Sequence, residues 1–127
     1  MKILLVEDDI SQRSLLRHII AKKTSFEIFE AKNGIEGLRM VEMHSPDLIV
    51  LDVWMPVMNG MAMLEKLRAD KMHNSIPVVI ITAMKDQETI QEAIAKGISG
   101  YLLKPFTQEQ VHATLSKFIP SFQAVTA

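Results

Sequence analysis

Apolar residues along this chain fall into two alternating kinds of segment. Ile3-Leu4-Leu5-Val6, Leu48-Ile49-Val50-Leu51, Val78-Val79-Ile80-Ile81 and Tyr101-Leu102-Leu103 are short, nearly unbroken runs of strand length. Runs of that kind suit parallel strands covered on both faces. The pattern predicts strands over 2–6, 26–30, 47–51, 77–81 and 100–103. The second of these, Phe26-Glu27-Ile28-Phe29-Glu30, is more mixed, and its two acids place it at a sheet edge.

Apolar positions at helical spacing fill the intervals. Leu15, Leu16, Ile19 and Ile20 mark a first helix, with Arg13, Arg17, Lys22 and Lys23 expected to face water. Leu38 and Val41 mark a second after Asn33-Gly34, and Met61, Leu64 and Leu67 a third after Asn59-Gly60. Ile90, Ala93 and Ile94 mark a fourth, which Gly97 ends. Val111, Leu115 and Phe118 mark the last, with Thr107 as N-cap and Gln110 at N3. Pro46, Pro56 and Pro77 fall in connections or at strand starts, where a missing N–H does little harm.

Strands alternating with helices are the signature of repeated βα units. Right-handed crossovers then give an α/β fold, a doubly wound three-layer (βα)5 sandwich around a five-stranded parallel sheet. With the second strand at an edge, the expected order is 2-1-3-4-5, which puts the topological switch between strands 1 and 3. The domain is expected to span 1–120. Residues 121–127 lose the helical period and read as a frayed end or a linker stump.

Composition narrows the functional classes. The chain has 127 residues, 48% of them hydrophobic and 23% charged, which is ordinary for one soluble domain. A net charge of −1 and a pI near 6.4 give no bulk attraction to nucleic acid or to an anionic membrane. No apolar run approaches a membrane span, and the acids at 7–9 interrupt the N-terminal run before a signal peptide forms. The cytoplasm is the expected compartment. Cysteine is absent, which excludes thiol chemistry, disulfides and Cys-ligated zinc.

The candidate chemistry lies where the strands end. The first strand runs into Glu7-Asp8-Asp9, the third into Asp52, the fourth into Thr82 and the fifth into Lys104-Pro105. Each ending alone has an ordinary reading: an acidic doublet caps a helix, a threonine is structural, Lys-Pro makes a turn. Asp9, just ahead of the first helix, reads as such a cap. If the strands are parallel, however, their carboxyl ends share one edge, where open α/β folds bind ligands. Three carboxylates held within about 4 Å would repel by several kcal/mol even at an effective dielectric near 20. Such a cluster is kept chiefly to bind a cation, and hard oxygen ligands point to Mg²⁺ or Mn²⁺ rather than zinc. A lysine beside a metal-bound carboxylate suits phosphoryl transfer, with Asp52 able to act as nucleophile.

The segments Ile3-Leu4-Leu5-Val6-Glu7-Asp8-Asp9, Ser45-Pro46-Asp47-Leu48, Asp52-Val53-Trp54-Met55-Pro56-Val57-Met58-Asn59-Gly60, Ile76-Pro77-Val78-Val79-Ile80-Ile81-Thr82-Ala83 and Gly100-Tyr101-Leu102-Leu103-Lys104-Pro105-Phe106 resemble the receiver domain of two-component response regulators, chemotaxis-type single-domain regulators included. The resemblance covers residues 2–119. It implies that Asp52 is the phospho-acceptor, taking a phosphoryl group from a phosphohistidine on a sensor histidine kinase or histidine phosphotransfer protein. It implies that Asp8 ligates Mg²⁺ directly, Glu7 mainly through water, and Trp54 through its backbone carbonyl. Thr82 and Lys104 would bind phosphoryl oxygens, the Lys104–Pro105 bond would be cis, and Tyr101 would be the aromatic switch. Such a domain catalyses only its own phosphorylation and dephosphorylation. A face made by the fourth helix, fifth strand and fifth helix would meet a downstream effector, with no direct nucleic-acid or membrane contact.

Two other classes compete. A phosphatase with an aspartyl-phosphate intermediate wants a second acid two residues after the nucleophile, where this chain has Trp54, and a cap it has no residues to build. A non-phosphorylatable receiver-like module would not need all the active-site residues, and a flavodoxin-type carrier would not place acids at the flavin phosphate. Trp54 and Met84, each two residues beyond a site residue, pack nearby loops or shield the acyl phosphate from water. Met55, Met58, Met61 and Met63 read as gap-fillers. His18, His44, His73 and His112 lack metal-ligand spacing and are expected at the surface.

Overall fold

The computed structural model describes residues 1–22, 26–83 and 87–119. Met84 and the segment 121–127 lie outside the described residues, as does Lys23. In chain order the elements are β1 (Lys2–Val6), α1 (Ile10–Ala21), β2 (Glu27–Ala31), α2 (Gly34–His44), β3 (Leu48–Asp52), α3 (Gly60–Ala69), β4 (Val78–Thr82), α4 (Gln87–Ala95), β5 (Gly100–Leu103) and α5 (Gln108–Leu115). All strand pairs are parallel, in the order β2-β1-β3-β4-β5. The expected topology is the observed one, with β2 at an edge.

Residues alternate across the sheet, and each face has its own core. Ile3, Leu5, Leu48, Val50, Val79 and Ile81 meet Leu16, Ile19 and Ile20 of α1 and Val111 and Leu115 of α5. Leu4, Val6, Ile49, Leu51, Val78 and Ile80 meet Val41 of α2, Met63, Leu64 and Leu67 of α3, and Ala93 of α4. These are the three layers of a doubly wound sandwich. Three strands start one residue later than the sequence pattern predicts. At β4 the reason is Pro77, which has no N–H and only accepts from Ile49 N–H at 3.0 Å. Asp52 and Thr82 are therefore the last residues of their strands, not the first beyond them.

The helix starts follow from their caps. Asp9 accepts from Gln12 N–H at 3.0 Å, Asn33 from Glu36 N–H and Asn59 from Ala62 N–H, both at 2.9 Å. At α5 Thr107 and Gln110 form the expected reciprocal capping box. Gly97, at φ +87°, follows α4. Met55, Met58 and Met61 pack on the core and Met63 is fully buried, so the methionines are gap-fillers.

Some side chains depart from expectation. Leu15 and Ile94 are exposed, because each lies on the flank of its helix beside the truly buried Leu16 and Ala93. Of the histidines only His18 faces solvent freely. His44 stacks on Phe29, and His112 Nε2 lies 3.2 Å from the Ile19 carbonyl, joining α5 to α1. His73 is buried between Asp70 (Nδ1 to Oδ2, 2.8 Å) and the Ser45 hydroxyl (3.3 Å). That hydrogen bond holds the Asp70 carboxyl below its usual range. The loop after α3 is thereby tied to the end of α2, a long-range pairing that one-dimensional spacing does not reveal.

Candidate functional site

Strand alternation delivers the site. Glu7 continues the row Ile3-Leu5, Asp52 the row Leu48-Val50, and Lys104 follows Leu102, all on the face packed by α1 and α5. Because β1 and β3 are neighbours across the topological switch, the two acids meet at the carboxyl edge of the sheet. Carboxylate oxygens of Glu7, Asp8 and Asp52 lie within 4.8 Å of one another, the one group of this kind among the described residues. Glu7 and Asp52 are buried and Asp8 is exposed, so the cluster opens to solvent on one side.

Lys104 closes the other side. Its Nζ is 3.1 Å from Glu7 Oε2 and 3.6 Å from Asp52 Oδ2. The Lys104–Pro105 bond is cis, as expected. Lys104 N–H donates to the Thr82 carbonyl at 2.8 Å, which joins the lysine to the end of β4. Burial works against the ammonium, but the charges of Asp52 and Glu7 outweigh it and hold Lys104 above its usual range. Burial, and then the nearby charge of Glu7, push Asp52 up to about 7, although Lys104 and the backbone amide of Trp54 pull the other way.

Glu7 is fixed at several points. Its N–H donates to the Ala31 carbonyl at 3.0 Å, and its Oε1 accepts from Asp9 N–H at 3.2 Å. Oε2 is buried and, despite the ion-pair contact with Lys104, takes no hydrogen bond among the described residues. A buried carboxylate oxygen short of a donor, beside a carboxyl raised towards neutrality, is an arrangement that a bound cation would satisfy. The donor set is all hard oxygen, so the residues fit Mg²⁺.

The other expected residues sit further out. Thr82 is fully buried at the end of β4 and continues the opposite row, Val78-Ile80. Trp54 is 56% exposed, its side chain outside the core. Tyr101 is 45% exposed and lines a cavity of about 450 Å³ with Ile94, Ile98, Ala113, Thr114 and Lys117, none of them a residue of the carboxylate cluster. Sequence reasoning missed Arg13. It does not simply face water: its guanidinium donates to the Glu7 carbonyl and to Glu30, both at 2.8 Å. The available signal was the Arg13/Arg17 pair, one helical turn apart, opposite an acid on the edge strand.

The family profile for the response regulator receiver domain matches residues 3–116. The chain is 35% identical over 117 residues to chemotaxis protein CheY-3 of Vibrio cholerae serotype O1, covering 92% of this chain and 90% of that one. It is 33% identical over 127 residues to the probable C4-dicarboxylate response regulator DctR of Bacillus subtilis, covering 99% of this chain and 55% of that protein. The chain thus spans about half the length of the DctR relatives it matches. The crystal structure of Vibrio cholerae CheY4 at low pH superposes with a TM-score of 0.86 at 32% identity, covering 93% of this chain and 98% of that one.

The chain belongs to the response regulator receiver domain family, the phosphoacceptor modules of two-component signalling. Receiver domains work with sensor histidine kinases and downstream effectors, and they are signalling domains rather than metabolic enzymes. Among the described residues no helix is long and apolar enough to cross a membrane.

Proposed function

We propose that Asp52 accepts a phosphoryl group from a phosphohistidine of a sensor histidine kinase or histidine phosphotransfer protein. The observation that carries this reading is the convergence of Glu7, Asp8, Asp52 and Lys104 at one strand edge. An Asp52 oxygen attacks phosphorus, the P–N bond to the donor imidazole breaks, and the leaving imidazole takes up a proton. Glu7, Asp8, Asp52 and the Trp54 carbonyl would hold Mg²⁺, with Mn²⁺ able to substitute. When bound, the ion neutralises charge on the transferring phosphoryl oxygens. Lys104, already beside Asp52, pairs with one of those oxygens, and Thr82 donates to another. The same residues catalyse the domain's own dephosphorylation.

The modified Asp52 carries a dianionic group that draws Thr82 and Lys104 towards it. Those residues end β4 and follow β5, so the pull reaches Tyr101 three residues away. Tyr101 turns inward as the switch, and the face of α4, β5 and α5 changes shape for an effector protein or domain. Residues 1–120 form this receiver unit, which works in the cytoplasm without touching nucleic acid or membrane itself.

The test is incubation with Mg²⁺ and acetyl phosphate, or with a fluoroberyllate mimic, for wild type and Asp52→Asn. Wild type is expected to gain one phosphoryl group by intact mass and the variant none. Absence of modification in the wild type, or equal modification of both, removes the reading.

A further inference from the structure

The loop that carries Glu7 and Asp8 leaves β1 between two supports. On one side Glu7 N–H donates to the Ala31 carbonyl of β2. On the other, Arg13 Nη1 donates to the Glu7 carbonyl at 2.8 Å, fixing the plane of the Glu7–Asp8 peptide. Successive side chains leave the chain in directions set by that plane, so it governs how the two carboxylates face one cation.

Arg13 is itself held. Its Nε donates to Glu30 Oε1 at 2.8 Å, and Arg17 Nη1 donates to the other oxygen, Glu30 Oε2, at 2.6 Å. Glu30 lies on β2 opposite Leu5 of β1, one register step before the pair Val6–Ala31. The Arg13 side chain is only 19% exposed, and the guanidinium spends its donors on two fixed acceptors in a fork that lysine cannot reproduce. The edge strand, which places no residue in the carboxylate cluster, reaches the site through this bridge.

We infer that Arg13 is a positioning residue for the cation site, anchored by Glu30, which orients Glu7 and Asp8 through the Glu7 carbonyl. The inference rests on the Mg²⁺ reading above. It predicts a sign opposite to simple electrostatics. A nearby positive charge repels a cation, so removing it should tighten Mg²⁺ binding if Arg13 acts only through its charge. If Arg13 positions the loop, removing it loosens the site and weakens binding.

The experiment is Mg²⁺ titration of the full chain, read by calorimetry and by fluorescence of Trp54, the sole tryptophan and adjacent to the acceptor loop. Arg13→Met keeps the apolar stem and removes donor and charge together, and circular dichroism checks that it folds. Its Kd for Mg²⁺ is expected to rise about tenfold, the effect usual for residues that orient a metal ligand. Arg13→Lys keeps the charge and offers one donor without the fork, so its Kd is expected to lie between those of wild type and Arg13→Met. A Kd for Arg13→Met equal to or tighter than wild type, or a lysine variant no better than methionine, overturns the inference while leaving the Mg²⁺ site standing. A wild type that shows no Mg²⁺ saturation overturns the metal reading and this inference with it.

Discussion

Lys104 stands closer to Glu7 than to Asp52, with Nζ 3.1 Å from the former and 3.6 Å from the latter. The ammonium is therefore shared, and neither buried carboxylate has a cation of its own. Asp52 is raised despite an adjacent lysine because burial, and after it the charge of Glu7, outweighs the shared counterion. The site carries a charge imbalance that a divalent cation would correct.

Removing Lys104 should expose that imbalance. In Lys104→Ala, Glu7 and Asp52 lose their shared partner inside the protein. The metal-free variant is expected to be less stable than wild type by about 1–3 kcal/mol at pH 8, limited because Asp52 can take up a proton instead. Urea titration in chelator measures the difference, and Mg²⁺ should narrow it. Equal midpoints would show that the lysine does not neutralise the pair.

Asp52→Asn should do the reverse. An acid whose native value is raised from 3.8 to about 7 costs stability fully above pH 7. As pH falls from 7 towards 4 the native state binds a proton that the unfolded chain does not, so wild-type stability recovers. The metal-free variant is expected to exceed wild type by about 1–3 kcal/mol at pH 8, with the gap clearly narrower at pH 5 and closing only towards pH 4. Urea titrations at both pH values check the trend; a gap that widens on acidification contradicts it.

Asp8 separates binding from stability. It is exposed, so its charge adds repulsion to the cluster while its burial contributes nothing to the core. Without Mg²⁺, Asp8→Asn is expected to be at least as stable as wild type by denaturant titration. Its Mg²⁺ affinity should nevertheless fall by at least about tenfold, since even outer-shell changes can cost that much. A clear loss of metal-free stability would count against charge crowding.

Much of this site was legible in the sequence because its residues terminate strands. Unbroken aliphatic runs gave away the strands, and the shared carboxyl edge of parallel strands brought Glu7, Asp52 and Lys104 together. The caps Asp9 and Thr107 were legible for the same local reason. What the sequence hid was long-range pairing. Arg13 and Glu30 are 17 residues apart and meet only after β2 docks on β1. His73 is buried because two loops close on it, which no periodicity of its own segment announces.

Trp54 offers a kinetic prediction. Its large side chain is 56% exposed, two residues beyond the acceptor, where it can keep water from an acyl phosphate. Trp54→Asn is expected to shorten the half-life of phospho-Asp52 by about twofold or more, as water regains access to the site. Decay of the acetyl-phosphate-labelled protein by intact mass measures it, and an unaltered half-life assigns Trp54 to packing alone.

Gly60 supplies the sharpest steric test. A Cβ placed there would run into the Asp52 carbonyl oxygen and approach the Val53 Cα to 2.9 Å, and both obstacles are backbone. Gly60 N–H also donates to the Val53 carbonyl at 2.8 Å, so the first residue of α3 is pressed against the acceptor's own peptide. Neither neighbour can rotate away, so Gly60→Ala must displace Asp52 or the start of α3. The expected cost is about 2–3 kcal/mol of stability, as for other overpacked buried positions. Labelling by acetyl phosphate should fall as well, because Asp52 leaves its place between Glu7 and Lys104. Gly100 is the matched control: a Cβ there meets nothing closer than the Thr114 methyl at 3.6 Å, so Gly100→Ala should fold and label normally. Equal behaviour of the two variants in urea titration and labelling would show that the acceptor loop yields freely, contrary to the packing seen around Asp52.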